Sequence, residues 1–309
     1  MLEMNDVTKR YGQHVAVRDL NLYLDKGESV GLLGPNGAGK STTIDMLSSL
    51  AKPTSGVVRF KGRPVSEVLH AFRMRIGVVP QEIALFPQLT AEENLLFFGK
   101  IYRLDKRELN KRVNELLELV GLKEKRKDKV RTFSGGMKRR LNTAAALVHK
   151  PEFLLMDEPT VGIDPQSRRH ILDLVKDLQA SGGMTILYTS HYMEEVEYLC
   201  DRVYVMDRGS VIASGTIDEI KRILDRGHIY ELKLAAHHHQ LEQKLREDPR
   251  IESVAATEDG YRVTASCANL FEPLLELATR SGARVLGIQV QTPTLEDVFL
   301  HLTGRTLRD

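Results

Sequence analysis

The chain has 309 residues, enough for one large domain or two unequal ones, with the 42% hydrophobic and 28% charged content of an ordinary globular protein. A formal charge of +2 leaves no electrostatic footprint for nucleic acid, so none is expected as a partner. No stretch approaches the roughly 20 apolar residues that a membrane-spanning helix needs, and the two cysteines, Cys200 and Cys267, have no metal-like spacing, which points to buried thiols in a reducing compartment.

In chain order, the first 25 residues scatter Glu3, Asp6, Lys9, Arg10, Arg18 and Asp19 among apolar positions, unlike the charged-then-apolar layout of a signal peptide. From there to about Leu224, short β-rich runs (SVGLL, IGVVP, FLLMD, MTILYTS, RVYVM) alternate with helical patterns. That alternation predicts an α/β domain over 1–224 with a largely parallel sheet. Between Gln81 and Arg131 the pattern turns helical: Leu109, Val113, Leu116, Leu117 and Val120 share one face, opposite lysines, arginines and glutamates. A helical subdomain inserted at about 82–135 is expected. After Asp225 the texture changes to strand (IYELKL), helix (His238 to Arg246), strand (SVAAT), strand (YRVTA), helix (Leu270 to Arg280), strand (ARVLGIQV) and closing helix (Leu295 to Leu302). The order βαββαβ predicts a small ferredoxin-like α+β domain over 225–309, an accessory or dimerisation unit. The triplet His237, His238 and His239 reads as a solvated helix start, because helical neighbours point different ways and no acidic or cysteine partner is spaced to help bind a metal.

The sharpest chemical signal is Gly34-Pro35-Asn36-Gly37-Ala38-Gly39-Lys40-Ser41, which satisfies GxxxxGK[ST], follows SVGLL and precedes the helical pattern TTIDMLSSL beginning at Thr42. Glycines at 34, 37 and 39 let the backbone turn amides toward phosphate oxygens, and the helix behind adds unpaired N–H groups and a positive dipole end. Lys40 is placed to reach the β- and γ-phosphates, and Ser41 to ligate Mg²⁺. A glycine-rich turn of no function would not need lysine and serine at those two positions. The run FLLM ends in Asp157 and Glu158. Alone, two acids at a strand end are usually solvated; beside the glycine loop, Asp157 is expected to orient Mg²⁺ and Glu158 to face the attacking water.

Between these sites lies FSGGMKRR, Phe133 to Arg140, and with it the sequence resembles the ATP-binding-cassette family, whose signature usually reads LSGGQ ahead of a helix. Ser134, Gly135 and Gly136 match; Phe133 and Met137 depart from the usual leucine and glutamine. The resemblance implies a P-loop cassette fold and a head-to-tail dimer of two copies, each signature meeting the γ-phosphate of ATP held by the other. It implies further that Tyr11 stacks on adenine, that Gln81 touches the metal and the water, that Asp164 sits at the dimer interface, and that His191 contacts the γ-phosphate and helps hold Glu158.

The close FSGGMKRRL match and the ending TPTLEDVFLHLTGR, Thr292 to Arg305, look like the drug-exporter subgroup of bacterial cassettes, similar to antibiotic-resistance exporters. The chain is then expected to be the ATP-hydrolysing subunit of an exporter, with ATP and Mg²⁺ as ligands, an integral membrane permease as partner, and a place at the cytoplasmic face of the membrane. A soluble cassette ATPase acting on ribosomes or DNA is the alternative. Such proteins generally carry two cassettes or a long inserted coiled coil, and neither pattern is present.

Overall fold

The structure is a computed structural model that describes residues 1–223, 228–236, 238–257, 259–265, 269–291 and 294–303. Cys267, His237, the expected junction at Leu224 and Asp225, and Thr292, Pro293, Gly304 and Arg305 of the tail lie outside the described residues. Two compact units are present, one formed chiefly by Met1–Ile220 and the other by Lys221–His301.

The first unit opens with β1 (Leu2–Tyr11) and β2 (His14–Leu24), followed by β3 (Ser29–Leu33), α1 (Lys40–Leu47), β4 (Ser55–Phe60), β5 (Arg63–Pro64), α2 (Leu69–Arg73) and β6 (Ile76–Val79). The helical stretch then supplies α3 (Ala91–Ile101), α4 (Lys106–Leu119) and α5 (Gly135–Ala146). The chain returns through β7 (Phe153–Met156), α6 (Pro165–Gly182), β8 (Thr185–Ser190), α7 (Met193–Leu199), β9 (Arg202–Asp207), β10 (Ser210–Thr216) and α8 (Ile217–Arg222).

Six strands form the central sheet in the order β10-β9-β3-β8-β7-β6. All neighbours in it are parallel except β10, which pairs antiparallel with β9 at one edge. Strands β3, β7 and β8 are buried at every position. That is why β3 and β7 read as nearly unbroken apolar runs: both faces of the sheet are covered, so no alternation survives.

A second sheet, order β2-β1-β4-β5 and wholly antiparallel, was not expected from the sequence. Its alternation is interrupted. Register shifts fall between Met4, Val7 and Lys9, and Asp6 and Asp19 take positive φ of 50° and 45°. These irregularities are held by Asn21 Nδ2 donating to Asp6 Oδ1 at 2.9 Å and Thr8 Oγ1 donating to Asp19 at 3.0 Å. Bulges of this kind break the period-2 pattern that identifies a strand. Leu2, Met4, Leu20, Leu22 and Leu24 of this sheet share one core with Leu32, Ile44 and Leu47 of β3 and α1, which fixes the element that carries the glycine loop.

Helix starts follow the expected chemistry. Thr90 and Glu93 form a reciprocal capping box on α3, and Asp105 caps α4 by accepting from Arg107 N and Glu108 N. Leu109, Val113, Leu116 and Leu117 form the buried face of α4.

The second unit contains β11 (His228–Leu234), α9 (His239–Glu247), β12 (Ile251–Thr257), β13 (Gly260–Ala265), α10 (Phe271–Arg280), β14 (Val285–Gln291) and α11 (Leu295–Thr303). Its antiparallel sheet has the order β12-β13-β11-β14, so both helical crossovers skip a strand, as in a ferredoxin-like sandwich. Tyr230, Leu232, Leu241, Leu245, Val263 and Leu274 fill its core.

Candidate functional site

The glycine loop joins β3 to α1. At Gly34 an added Cβ would stand 2.5 Å from the Met206 carbonyl oxygen, and at Gly39, with φ +102°, 2.7 Å from the Ala16 carbonyl oxygen. Both atoms are backbone, so neither could move aside cheaply. The loop is wedged between β2 and the end of β9, and only glycine fits those two positions.

Lys40, 5% exposed, turns back into the loop. Its Nζ donates to the carbonyl oxygens of Gly34 at 2.7 Å and Pro35 at 3.1 Å and lies 3.0 Å from Glu158 Oε1. Ser41 follows on the exposed side of the α1 start, Thr42 is half-buried, and Asn36 and Gly37 are exposed while Pro35 and Ala38 are buried.

Glu158 sits just past β7, 5% exposed and with a positive φ of 43°. A non-glycine residue held there is a local strain that its surroundings must maintain. They do so through Thr189 of β8, whose Oγ1 accepts from Glu158 N at 2.9 Å and donates to Asp157 Oδ1 at 2.9 Å. The two oxygens of Glu158 have separate partners. Oε1 faces Lys40, whereas Oε2 has Gln81 Nε2 at 3.4 Å and His191 Nδ1, immediately past β8, at 3.3 Å.

Asp157 faces a second carboxylate. Burial, and then the Asp157 charge, raise the Asp45 carboxyl of α1 above its usual value. Local negative potential combined with hydroxyl, carboxylate and amide oxygens from Ser41, Asp157 and Gln81 suits a hard divalent cation such as Mg²⁺.

A second patch lies at the heads of α5 and α6. Ser134 caps α5, its hydroxyl accepting from Met137 N at 3.3 Å, and Gly135 is exposed beside it. Asp164 caps α6 by accepting from Ser167 N at 2.9 Å, which with further hydrogen bonds holds its carboxyl below the usual range. The patches touch within one chain: a Cβ on Gly136 would stand 1.9 Å from Ser167 Oγ and 3.3 Å from Asp164 Oδ2.

Helix α5 links the two patches. Arg139, 6% exposed, donates to the carbonyl oxygens of Pro80 at 3.0 Å and Gln81 at 2.7 Å. Burial lowers its pKa, and the attraction of Asp157 opposes that shift. Tyr11 ends β1, 50% exposed, with Lys9 Nζ 4.9 Å from its ring centre.

Lys40, Glu158, Gln81 and His191 were expected together and are together. Thr189 and Arg139 were not foreseen. A threonine near the end of a β-rich run was a faint signal for the first; Arg139 lies in a KRR run that reads as a solvated face. Cys200 is buried as expected, its thiol pushed up to about 12 chiefly by burial.

Comparison with known proteins bears on this geometry. Residues 17–161 match the family described as ABC transporter, and residues 215–303 match the family described as ATP-binding protein DrrA1-3-like, C-terminal domain. The chain is 49% identical to the linearmycin resistance ATP-binding protein LnrL of Bacillus subtilis (strain 168), covering 100% of each chain. It is 41% identical to the Nod factor export ATP-binding protein I of Cupriavidus metallidurans, covering 100% of this chain and 99% of that one. Among solved structures, a dimeric ATP-binding cassette in a post-hydrolysis state bound to ADP and Pi superposes with a TM-score of 0.64 at 30% identity, covering 70% of this chain and 98% of that one.

Proposed function

The chain belongs to the ABC transporter family, and we propose that it is the ATP-hydrolysing subunit of an exporter, dimerising on ATP to drive a separate membrane permease. The observation that carries the chemistry is the convergence of Lys40, Gln81 and His191 on the two oxygens of Glu158 beside the glycine loop.

In this reading the adenine stacks on Tyr11 and the phosphates lie against the amides of the loop from Gly34 to Thr42. Phosphate oxygens compete with Glu158 for Lys40, and the exchange frees Glu158 Oε1 to accept a proton from, or orient, the attacking water. Oε2 stays held by Gln81, with His191 Nδ1 beside it at 3.3 Å, so the carboxylate keeps its aim as Oε1 is released. Ser41, Asp157 and Gln81 would hold Mg²⁺, which when bound neutralises charge across the β- and γ-phosphate oxygens. Lys40 adds a buried positive charge to the same developing negative one.

Ser134, Gly135, Gly136 and Asp164 complete the site of a second copy. Their placement at two exposed helix heads supports this, because helix N-termini offer free amides to an anion. The permease is supported by the relatives, whose names speak of resistance and export, and by an open groove lined by Leu50, Met74, Phe98, Ile101 and Tyr102, in which Leu50 is 74% and Ile101 59% exposed. No described helix is long and apolar enough to cross a membrane; the chain would sit at the cytoplasmic face through the permease. The cargo would be a drug, a lipid or a similar molecule. Match over the whole length to export and resistance proteins favours this over a soluble ATPase of ribosomes or DNA.

Complementation tests the shared site. Lys40→Ala destroys one half of each composite site and Ser134→Arg the other half, so each variant alone should be inactive. Mixing them should restore roughly a quarter of wild-type ATPase activity, one intact site in half of the dimers. A mixture as inactive as its parts would refute the two-chain site.

A further inference from the structure

Behind the Glu158 site lies a second buried carboxylate that the steps above do not use. Glu195 of α7 is 3% exposed. Its Oε2 accepts from three hydroxyls at once: Thr160 Oγ1 at 2.9 Å, Tyr188 OH at 2.9 Å and Ser190 Oγ at 2.8 Å. All three donors are nearly or wholly inaccessible. Its other oxygen, Oε1, has no hydrogen bond and faces the guanidinium of Arg168, whose Nε is 3.4 Å away.

The partners of Glu195 come from three parts of the site, Tyr188 and Ser190 sharing β8. Thr160 lies two residues after Glu158, Ser190 lies one residue before His191, and Arg168 stands on the first turns of α6, the helix that Asp164 caps. Arg168 also lies over the ring of Tyr192, 4.2 Å from its centre, and that ring lies 4.2 Å from the ring of His191. Ser190 Oγ accepts from Tyr192 N at 2.9 Å, closing the circuit.

A carboxylate is an expensive group to bury, and stability alone does not favour one where apolar packing would serve. What a charged acceptor adds is rigidity between elements that would otherwise move separately. We propose that Glu195 is a positioning residue for ATP hydrolysis: with Arg168 it couples α6, at the dimer interface, to the segments carrying Glu158 and His191. A displacement of α6 when two copies close would pull Arg168, and through Glu195 shift Thr160 and Ser190 together. The water-orienting groups then reach their working geometry only in the closed dimer. This inference rests on the roles proposed above for Glu158, His191 and Asp164.

The test uses the full chain and steady-state ATPase kinetics, with nucleotide affinity from equilibrium binding and thermal melting as controls. Glu195→Gln keeps the shape and removes the charge that holds Arg168. It should lower kcat roughly ten- to a hundredfold, the range expected for misplaced reacting groups, with KM and ATP affinity near wild type. Arg168→Ala should lower kcat similarly, Arg168→Lys should recover most of the loss, and the double variant Glu195→Gln/Arg168→Ala should be no slower than the slower single one. Wild-type kcat in Glu195→Gln, additive losses in the double variant, or a loss of kcat matched by an equal loss of ATP affinity would each overturn the proposal. If Glu195→Gln does not fold, the two Arg168 variants decide it: a wild-type kcat in Arg168→Ala, or no recovery in Arg168→Lys, overturns it. Glu158→Gln is the control for the underlying reading. Full turnover there would overturn the assignment of Glu158, whereas an inactive Glu158→Gln beside a fully active Glu195→Gln sinks only the coupling.

Discussion

Replacing Glu158 by glutamine should do more than stop hydrolysis; it should make the nucleotide-free protein less stable and its hold on ATP tighter. Lys40 is nearly inaccessible, and its one carboxylate partner among the described residues, Glu158, is 3.0 Å away and equally buried. At an effective dielectric of about 20 that attraction is worth about 5 kcal/mol before desolvation. Removing one member of a buried pair costs about 3–5 kcal/mol. Glutamine can still accept a hydrogen bond from Lys40, which puts the variant at the lower end, about 3 kcal/mol. For a unit of this size, about 2–4 °C per kcal/mol gives a melting temperature lower by about 6–12 °C. ATP reverses the order, because phosphate oxygens take over Lys40 and in the variant only a neutral hydrogen bond, not an ion pair, has to be parted. Its ATP affinity should be tighter by up to about a hundredfold, the same 3 kcal/mol read as binding, and the closed dimer should accumulate because turnover is lost. Thermal melting with and without ATP·Mg, calorimetric titration and size-exclusion chromatography read these effects. A variant that melts with the wild type in the absence of nucleotide, or binds ATP no more tightly, would refute the competition between Glu158 and phosphate for Lys40.

Two further outcomes are expected. Gly136→Ala places a methyl group 1.9 Å from Ser167 Oγ and 2.4 Å from its Cβ, an overpacking of about 1–3 kcal/mol that displaces the α6 cap. ATPase activity should fall, and Ser167→Gly in the same chain should restore part of it by making room; no restoration would mean that Gly136 is needed for phosphate contact alone. His149, stacked on Tyr102 at 3.7 Å and within 3.0 Å of the Ile76 carbonyl oxygen, has its pKa pushed below the ordinary 6.5, mainly by burial. The unfolded chain therefore binds the proton first, and stability falls as pH drops below about 6.5 until the native ring protonates. Urea unfolding at pH 7.5 and 5.5 should show that loss, and His149→Gln should lessen it; an equal loss in the variant would place the acid sensitivity elsewhere.

The parts of the fold legible in the sequence were those with one dominant cause. SVGLL and FLLM show no polar alternation because both faces of the strand are covered, and α4 shows its face because only one side is. The second unit was legible for the same reason: strands such as IYELKL and YRVTA alternate cleanly over a one-sided core. The antiparallel sheet of the first unit was not. Asp6 and Asp19 break the alternation of β1 and β2, and what compensates for them, the contacts of Asn21 and Thr8, joins residues up to 15 positions apart. Periodicity within a window cannot register a bulge whose partner lies outside it.

The same distinction separates the legible residues of the site from the hidden ones. Lys40 and Ser41 are dictated by a backbone turn a few residues long, so spacing alone betrays them. Thr189, Arg139 and Glu195 do their work across 31, 58 and 35 residues of chain respectively, on Glu158, Gln81 and Thr160. Glu195 is the sharpest case. Its neighbours MEEVEYL would suit any amphipathic helix start, where acidic residues are favoured by the dipole and need no other reason. Only the fold shows that Glu194 is exposed while Glu195 is buried among three hydroxyls. Residues fixed by a short motif are thus written locally, whereas those that hold one motif against another depend on where separate elements meet.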